Sequence, residues 1–155
     1  MINSFCIKYL AVLCFSLFLI FGCSTDEKKK ETFLSDGKAY FEKQEYSKAV
    51  IQLKNVTKID PRSIEAYTLL SEIHLKTGES REAFSVLLKL EQLEPENMET
   101  KLKLATFYLL GKQVFETQSR VDYVLSKEPD NIEALYLHAG ILSYKKEEFK
   151  KIKEV

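Results

Sequence analysis

The chain has no tryptophan, only two histidines, three prolines, three cysteines and five glycines in 155 residues, and no net charge, with 23 Lys plus Arg balancing 23 Asp plus Glu. Each shortage excludes something. Electrostatic capture of nucleic acid needs a basic excess, so no nucleic-acid partner is expected. All-β and loop-rich folds consume glycine and proline in turns, and their scarcity here points to helices. His74 and His138 stand too far apart for a local metal motif. No glycine-rich phosphate loop, nucleophile elbow or zinc spacing occurs, so the expectation is no catalytic residue, no metal and no cofactor. His74, on the apolar face of a helical stretch, reads as a core histidine. The length suffices for one domain with a real core.

The first 22 residues differ from the rest, because Lys8 is their only charge and Tyr9 to Phe21 is an uncharged apolar run. Those residues would reach about 20 Å as a helix at about 1.5 Å each, short of the roughly 30 Å hydrocarbon core of a bilayer. A signal-peptide core fits that length. The run ends Leu19-Ile20-Phe21-Gly22-Cys23, which resembles a bacterial lipobox in Ile20 and Gly22, while Phe21 is bulkier than usual. The resemblance implies that 1–22 is a lipoprotein signal peptide and that Cys23 becomes an acylated N-terminus; an ordinary signal peptide or an uncleaved anchor is the alternative. Cys6 and Cys14 would leave with the leader, and a lone Cys23 has no disulfide partner. Ser24 follows where Asp would favour inner-membrane retention, so the resemblance implies the outer membrane, facing the periplasm. Residues 23–30 then read as lipidated N-terminus and tether, since Ser24-Thr25-Asp26-Glu27-Lys28-Lys29-Lys30 offers nothing to a core. A solvated charge run beginning a helix is the other reading.

Pro61, Pro95 and Pro129 are the only prolines, and each is 34 residues from the next. Two residues after each come Ser63, Asn97 and Asn131, good helix N-caps placed immediately before helix-like runs. A fixed period of this size signals stacked supersecondary units, in which one helix pair cannot cover its apolar stripe without a neighbour.

Laid out on that period, the chain resembles the tetratricopeptide repeat (TPR). The first copy, about 30–63, carries Phe33, Gly37 and Tyr40, then Ala49, Leu53 and Val56. The second, 64–97, has Tyr67, Ser71 and His74, Gly78 in the turn, then Ala83, Leu87 and Leu90. The third, 98–131, has Leu104, Ala105 and Tyr108, then Val121 and Val124, with Lys101 and Thr117 departing from the pattern. The fourth, 132–155, is incomplete: it has Leu135, Ala139 and Leu142, and a second helix is expected from about Glu147. Small residues at Gly37, Ser71, Ala105 and Ala139 would let each first helix approach its partner. An apolar edge around Leu135 and Leu142 would be open to self-association, or would reflect truncation of a longer TPR protein.

The resemblance implies an all-α fold, a right-handed solenoid of about three and a half antiparallel helix pairs over 31–155. It also implies a concave groove, lined by first helices, that holds a protein or peptide partner. Carried over residue by residue, the groove positions are Leu34, Lys38 and Phe41, then Thr68, Glu72 and Leu75, then Leu102, Thr106 and Leu109, then Tyr136. Phe41, Leu75, Leu102, Leu109 and Tyr136 would be its apolar anchors. Leu34, Leu69 and Glu99 stand where some members carry a Lys/Asn/Arg clamp for a terminal carboxylate, so that activity is not implied. Glu31, Glu65, Glu99 and Glu133 recur at the same step, where first-turn acids favour the helix dipole. The expected function is that of a membrane-anchored, periplasm-facing, non-enzymatic scaffold in envelope assembly or export. Alternatives are an accessory subunit of an enzyme complex or of an exopolysaccharide or protein-sorting system, whose lipoprotein repeats the segment Ala49–Asn55 resembles.

Overall fold

A computed structural model describes residues 23–153. Among them are seven α-helices and no strand: α1 (Cys23–Glu42), α2 (Tyr46–Ile59), α3 (Ile64–Thr77), α4 (Ser80–Leu93), α5 (Met98–Leu110), α6 (Val114–Lys127) and α7 (Ile132–Lys153). α2, α4 and α6 begin at Tyr46, Ser80 and Val114, and α3, α5 and α7 at Ile64, Met98 and Ile132, so both series advance by 34 residues. The all-α helix-pair repeat that the resemblance implies is the fold observed.

Two kinds of turn alternate along it. Within each pair the first helix ends on a residue of positive φ, namely Gln44 (60°), Gly78 (75°) and Lys112 (57°), again 34 apart. The following N–H then reaches five residues back: Glu45 to the Tyr40 carbonyl (2.9 Å), Glu79 to His74 (2.9 Å) and Gln113 to Tyr108 (2.8 Å). That bond and the left-handed residue together make a Schellman cap. Only one of the three is glycine, although a Cβ in this region costs about 1–2 kcal/mol. Lys112→Gly is therefore expected to stabilise the protein by up to about 1 kcal/mol in urea unfolding. Gly78→Ala, whose Cβ would meet nothing within 4 Å, should destabilise it by a similar amount through the backbone alone. Unchanged midpoints in both variants would contradict this.

Between pairs, the Asp60, Glu94 and Glu128 N–H groups each close on the Val56, Leu90 and Val124 carbonyls at 2.8 Å. Two of the three expected caps form through their side chains. Asn97 Oδ1 accepts from the Thr100 N–H (2.9 Å) and Asn131 Oδ1 from the Ala134 N–H (3.0 Å), satisfying donors that the helix start leaves open. Their amide nitrogens donate back to Glu94 (3.2 Å) and Glu128 (2.8 Å). Ser63 opens α3 through its carbonyl, which accepts from the Tyr67 N–H at 3.2 Å.

The chain divides at Leu69/Leu70, within α3, into two compact units. In the first, α2 buries Ala49, Leu53 and Val56 completely, and Gly37 on α1 leaves the room they need: a Cβ there would stand 2.9 Å from Leu53 Cδ2. In the second, α5 packs against α4, α6 and α7. Its core joins Leu102 and Ala105 of α5, Val121 and Val124 of α6, and Leu137 and Ile141 of α7. His74 is buried, with Nδ1 bonded to the Glu79 carboxylate, as suits a core histidine.

The two departures in the third copy are compensated by neighbours. Lys101 puts its ammonium 3.5 Å from Glu91 and 4.6 Å from the centre of the Tyr123 ring. Arg120 meets the same Glu91 at 2.7 Å and lies over the Tyr108 ring at 4.4 Å. Thr117, fully buried, donates its hydroxyl to the Gln113 carbonyl at 2.8 Å, so its polar atom is satisfied.

Two expectations need correction. Residues 24–30, read either as a tether or as a charge run beginning a helix, form the first turns of helix α1. Asp26 pairs with Lys29 (3.3 Å) and Glu27 with Lys30 (2.7 Å) one turn apart, and Lys30 also reaches Asp60 (3.4 Å). The Glu27 carboxylate first, and then Asp60, hold the Lys30 ammonium above the ordinary lysine value against its partial desolvation. The leader, residues 1–22, lies outside the described residues. The second correction concerns the fourth copy, where no separate helix begins near Glu147: α7 runs unbroken from Ile132 to Lys153. Lys146 matches Gln44, Gly78 and Lys112, but Ser143 to Lys153 is mostly lysine and glutamate and contains no Gly, Asn or Pro to stop a helix. Ala139 is consequently exposed, whereas its equivalents Gly37, Ser71 and Ala105 are buried.

Candidate functional site

On the first unit, α1 and the start of α3 border an open depression of about 440 Å³ lined by Lys38, Phe41, Glu42, Glu65, Thr68 and Leu69. Helical spacing assembles it. Lys38, Phe41 and Glu42 stand three and four residues apart on α1, and Glu65, Thr68 and Leu69 do the same on α3. Phe41 and Leu69 supply the apolar surface, and Phe41 is steadied by Tyr46, with ring centres 6.0 Å apart. Lys38 Nζ and Glu65 Oε1 meet at 2.5 Å. Both side chains are about half exposed, so their pairing adds at most about 1 kcal/mol to stability and leaves the charges open to exchange partners. Thr68 donates its hydroxyl to the Ile64 carbonyl at 3.0 Å.

The second unit has two depressions of its own. One, of about 390 Å³, is lined by Leu75, Ser80, Lys103, Thr106, Phe107, Leu110 and Glu133. Leu110 is 75% exposed, and Lys103 is paired to Glu99 at 2.6 Å. The other, of about 320 Å³, is formed on α7 by Ile132, Leu135, Tyr136 and Ala139.

The expected groove residues are thus partly assembled. Lys38, Phe41 and Thr68 come together on the first unit, and Leu75 and Thr106 on the second. Leu34 and Glu72 are half-buried and line none of these depressions. Leu102 is corrected outright: it is 5% exposed, packed with Val121 and Ile141, and has no surface to offer a partner. Leu109 is half-buried over Gly140, where an added Cβ would stand 2.8 Å from its Cδ2, so it packs instead of anchoring. Tyr136 is open, but on the uncovered face of α7 beside Ile132 and Leu135. Leu69, Lys103 and Leu110 line these depressions without being among the expected groove positions. Their signal lay in the 34-residue step, which relates Leu69 to Lys103 and Glu42 to Leu110.

Among the described residues there is no group of three or more His, Cys, Asp or Glu that could hold a metal ion. No helix among them is long and apolar enough to cross a membrane.

A chain of repeated helix pairs with solvent-open depressions on its first helices is a helical repeat protein, and comparison with known proteins narrows the class. One family model, described as TPR repeat, matches residues 37–78, and another, described as tetratricopeptide repeat, matches 64–97. None of the curated proteins compared matches the chain. Among solved structures, a tetratricopeptide repeat protein from Parabacteroides merdae is 15% identical with a TM-score of 0.64, over 72% of this chain and 44% of that one. This chain therefore spans less than half the length of that protein. The first TPR of Spaghetti (RPAP3), bound to the HSP90 peptide SRMEEVD, is 18% identical with a TM-score of 0.61, over 76% of this chain and 93% of that one. MamA is 21% identical with a TM-score of 0.58, over 82% and 84%. The fold is the TPR-like helical repeat.

Proposed function

We propose that the protein is a membrane-anchored, periplasm-facing scaffold that holds a segment of another protein in an envelope assembly or export system. The observation that carries the binding role is the depression on the first unit, where Phe41 and Leu69 leave apolar surface open between Lys38 and Glu65. Apolar surface rimmed by charge on a soluble domain commonly marks an interaction site. Structures of the same fold include the Spaghetti domain with its HSP90 peptide and the TPR2B domain of yeast Sti1 in complex with Hsp70. The partner proposed here is of a different chemistry. Leu69 stands in this depression where some members of the repeat family carry a residue of the polar clamp that a terminal carboxylate needs, so the segment is held by apolar side chains, with Phe41 and Leu69 as anchors. Lys38 and Glu65 steer its approach.

A photo-cross-linking side chain placed at Thr68 of the full chain, in its native envelope, should capture a polypeptide, and the same group at exposed Lys54 should not. Phe41→Ser should reduce that capture at least about tenfold while helical content persists, the scale expected of a desolvated aromatic anchor. Equal capture from both positions would refute the site. Capture that survives Phe41→Ser but is lost in Glu65→Gln would show a surface that reads charge.

The anchoring role rests on Ile20, Gly22 and Cys23. Cys23→Ala is expected to move the protein from the membrane to the soluble fraction. Unchanged membrane association, or an unmodified Cys23 by mass spectrometry, would remove the anchor.

A further inference from the structure

We infer that two copies of this chain dock through α7, antiparallel, on the face that carries Leu135, Ala139 and Leu142. This goes beyond the peptide-holding role and does not depend on it. α7 has two apolar stripes. One, made by Ala134, Leu137 and Ile141, is buried in the core of the second unit. The other stands in solvent, with Ile132 70% exposed, Tyr136 76%, Leu142 53% and Leu135 46%. A helix apolar on both sides is a helix with a partner on both sides.

The chemistry of the open stripe says that the partner is a helix. Ala139 occupies the register of Gly37 and Ala105, which lie against Leu53 of α2 and in one core with Val121 and Val124 of α6. A small residue between larger apolar ones is the feature that admits a second helix at close range in those pairs. Here no helix of the chain covers it among the described residues.

Charge says which helix and in which direction. From Glu128 to His138 there are three acids and no Lys or Arg; from Ser143 to Lys153 there are five lysines against two glutamates. A parallel copy would set like ends together. An antiparallel copy sets the acidic end of each α7 on the basic end of the other, and opposes the helix dipoles as well. A two-fold axis at Ala139 places that residue against itself, Leu142 opposite Tyr136 of the second copy, Lys146 opposite Ile132, and Lys150 against the turn before α7 that carries Glu128 and Asp130. Lys146 and Lys150 are exposed, whereas Lys145 is engaged with Gln118 at 3.2 Å. The contact is isologous and closes at two chains.

Sedimentation equilibrium of the full chain in detergent micelles should give a dimer. Leu135→Asp, at an exposed position, should make it monomeric with helical content unchanged. Lys146→Glu with Lys150→Glu should weaken the dimer about tenfold, and adding Glu128→Lys with Asp130→Lys should restore it. Under mild oxidation, Ala139→Cys should cross-link to its own copy and Phe149→Cys, far from the axis, should not. A monomer at every concentration, equal cross-linking from both cysteines, indifference to the charge swap, or cross-linking from α7 to a different protein alone would each overturn the proposal.

Discussion

Shortening Leu53 to alanine is expected to destabilise the first unit by about 3 kcal/mol, read as a shift of the urea midpoint followed by circular dichroism. The side chain is fully buried, and removing it both loses its transfer free energy and opens a cavity between α1 and α2. Ile51, two residues away on the same helix but 59% exposed, provides the control, and Ile51→Ala should change stability by less than about 0.5 kcal/mol. Gly37 makes the prediction sharper. A Cβ at Gly37 would stand 2.9 Å from Leu53 Cδ2 and 3.0 Å from its Cγ, so Gly37→Ala alone overpacks the contact at a cost of about 1–2 kcal/mol. With Leu53 already shortened, that Cβ enters vacated space, and the double variant should be more stable than the sum of the two changes implies. Strict additivity would show that Gly37 and Leu53 do not share one contact.

Local chemistry made the boundaries between pairs readable, because a proline and a capping Asn act on the few residues around them and needed no knowledge of the rest of the fold. Asn97 and Asn131 cap as their positions in the sequence suggested. The turns inside the pairs were harder to read. Only Gly78 announces a left-handed residue, whereas Gln44 and Lys112 adopt the same conformation with side chains that ordinarily avoid it. Their signal was the period, not the residue type. The charged stretch 24–30 is ambiguous for a related reason: its lysines and acids suit a solvated coil and a helix alike, and i,i+3 pairing with support from Asp60 favours the helix.

The expected groove residues show the limit most directly. Leu34, Thr68, Leu102 and Tyr136 occupy one register at steps of 34, yet Leu34 and Thr68 are half-buried, Leu102 is in a core and Tyr136 is in solvent. Register fixes the face of a helix on which a side chain stands. What covers that face is decided by the neighbouring helix, and α7 covers Leu102 while no described helix covers Tyr136. The depressions accordingly draw on residues such as Leu69 and Leu110 that face open space, and lose two leucines expected to anchor a partner.

Removal of the Glu91 carboxylate is the other change expected to have a large effect. Glu91 is the single acid between Lys101 and Arg120, and the three side chains are only 19%, 13% and 16% exposed. Its loss leaves two cations in a poorly solvated place, a situation that costs about 3–5 kcal/mol when fully buried. Lys101 retains the Tyr123 ring, and Arg120 retains the Tyr108 ring and the Glu116 carbonyl at 3.1 Å. Glu91→Ala should therefore destabilise the second unit by about 2–3 kcal/mol, somewhat below that range. The cluster as a whole is not expected to stabilise the fold by that amount. Lys101 stands where Phe33 and Tyr67 stand in the first two copies, and an apolar group there would pack without needing an ion. Lys101→Phe and Arg120→Met combined with Glu91→Leu should recover most of the stability lost in Glu91→Ala, since replacing a buried ionic group by apolar residues of similar volume is commonly neutral. If Glu91→Ala alone cost less than about 0.5 kcal/mol, or if its effect vanished in high salt, the three charges would be behaving as a screened surface network, and the compensation attributed to Lys101 would have to come from its contact with Tyr123.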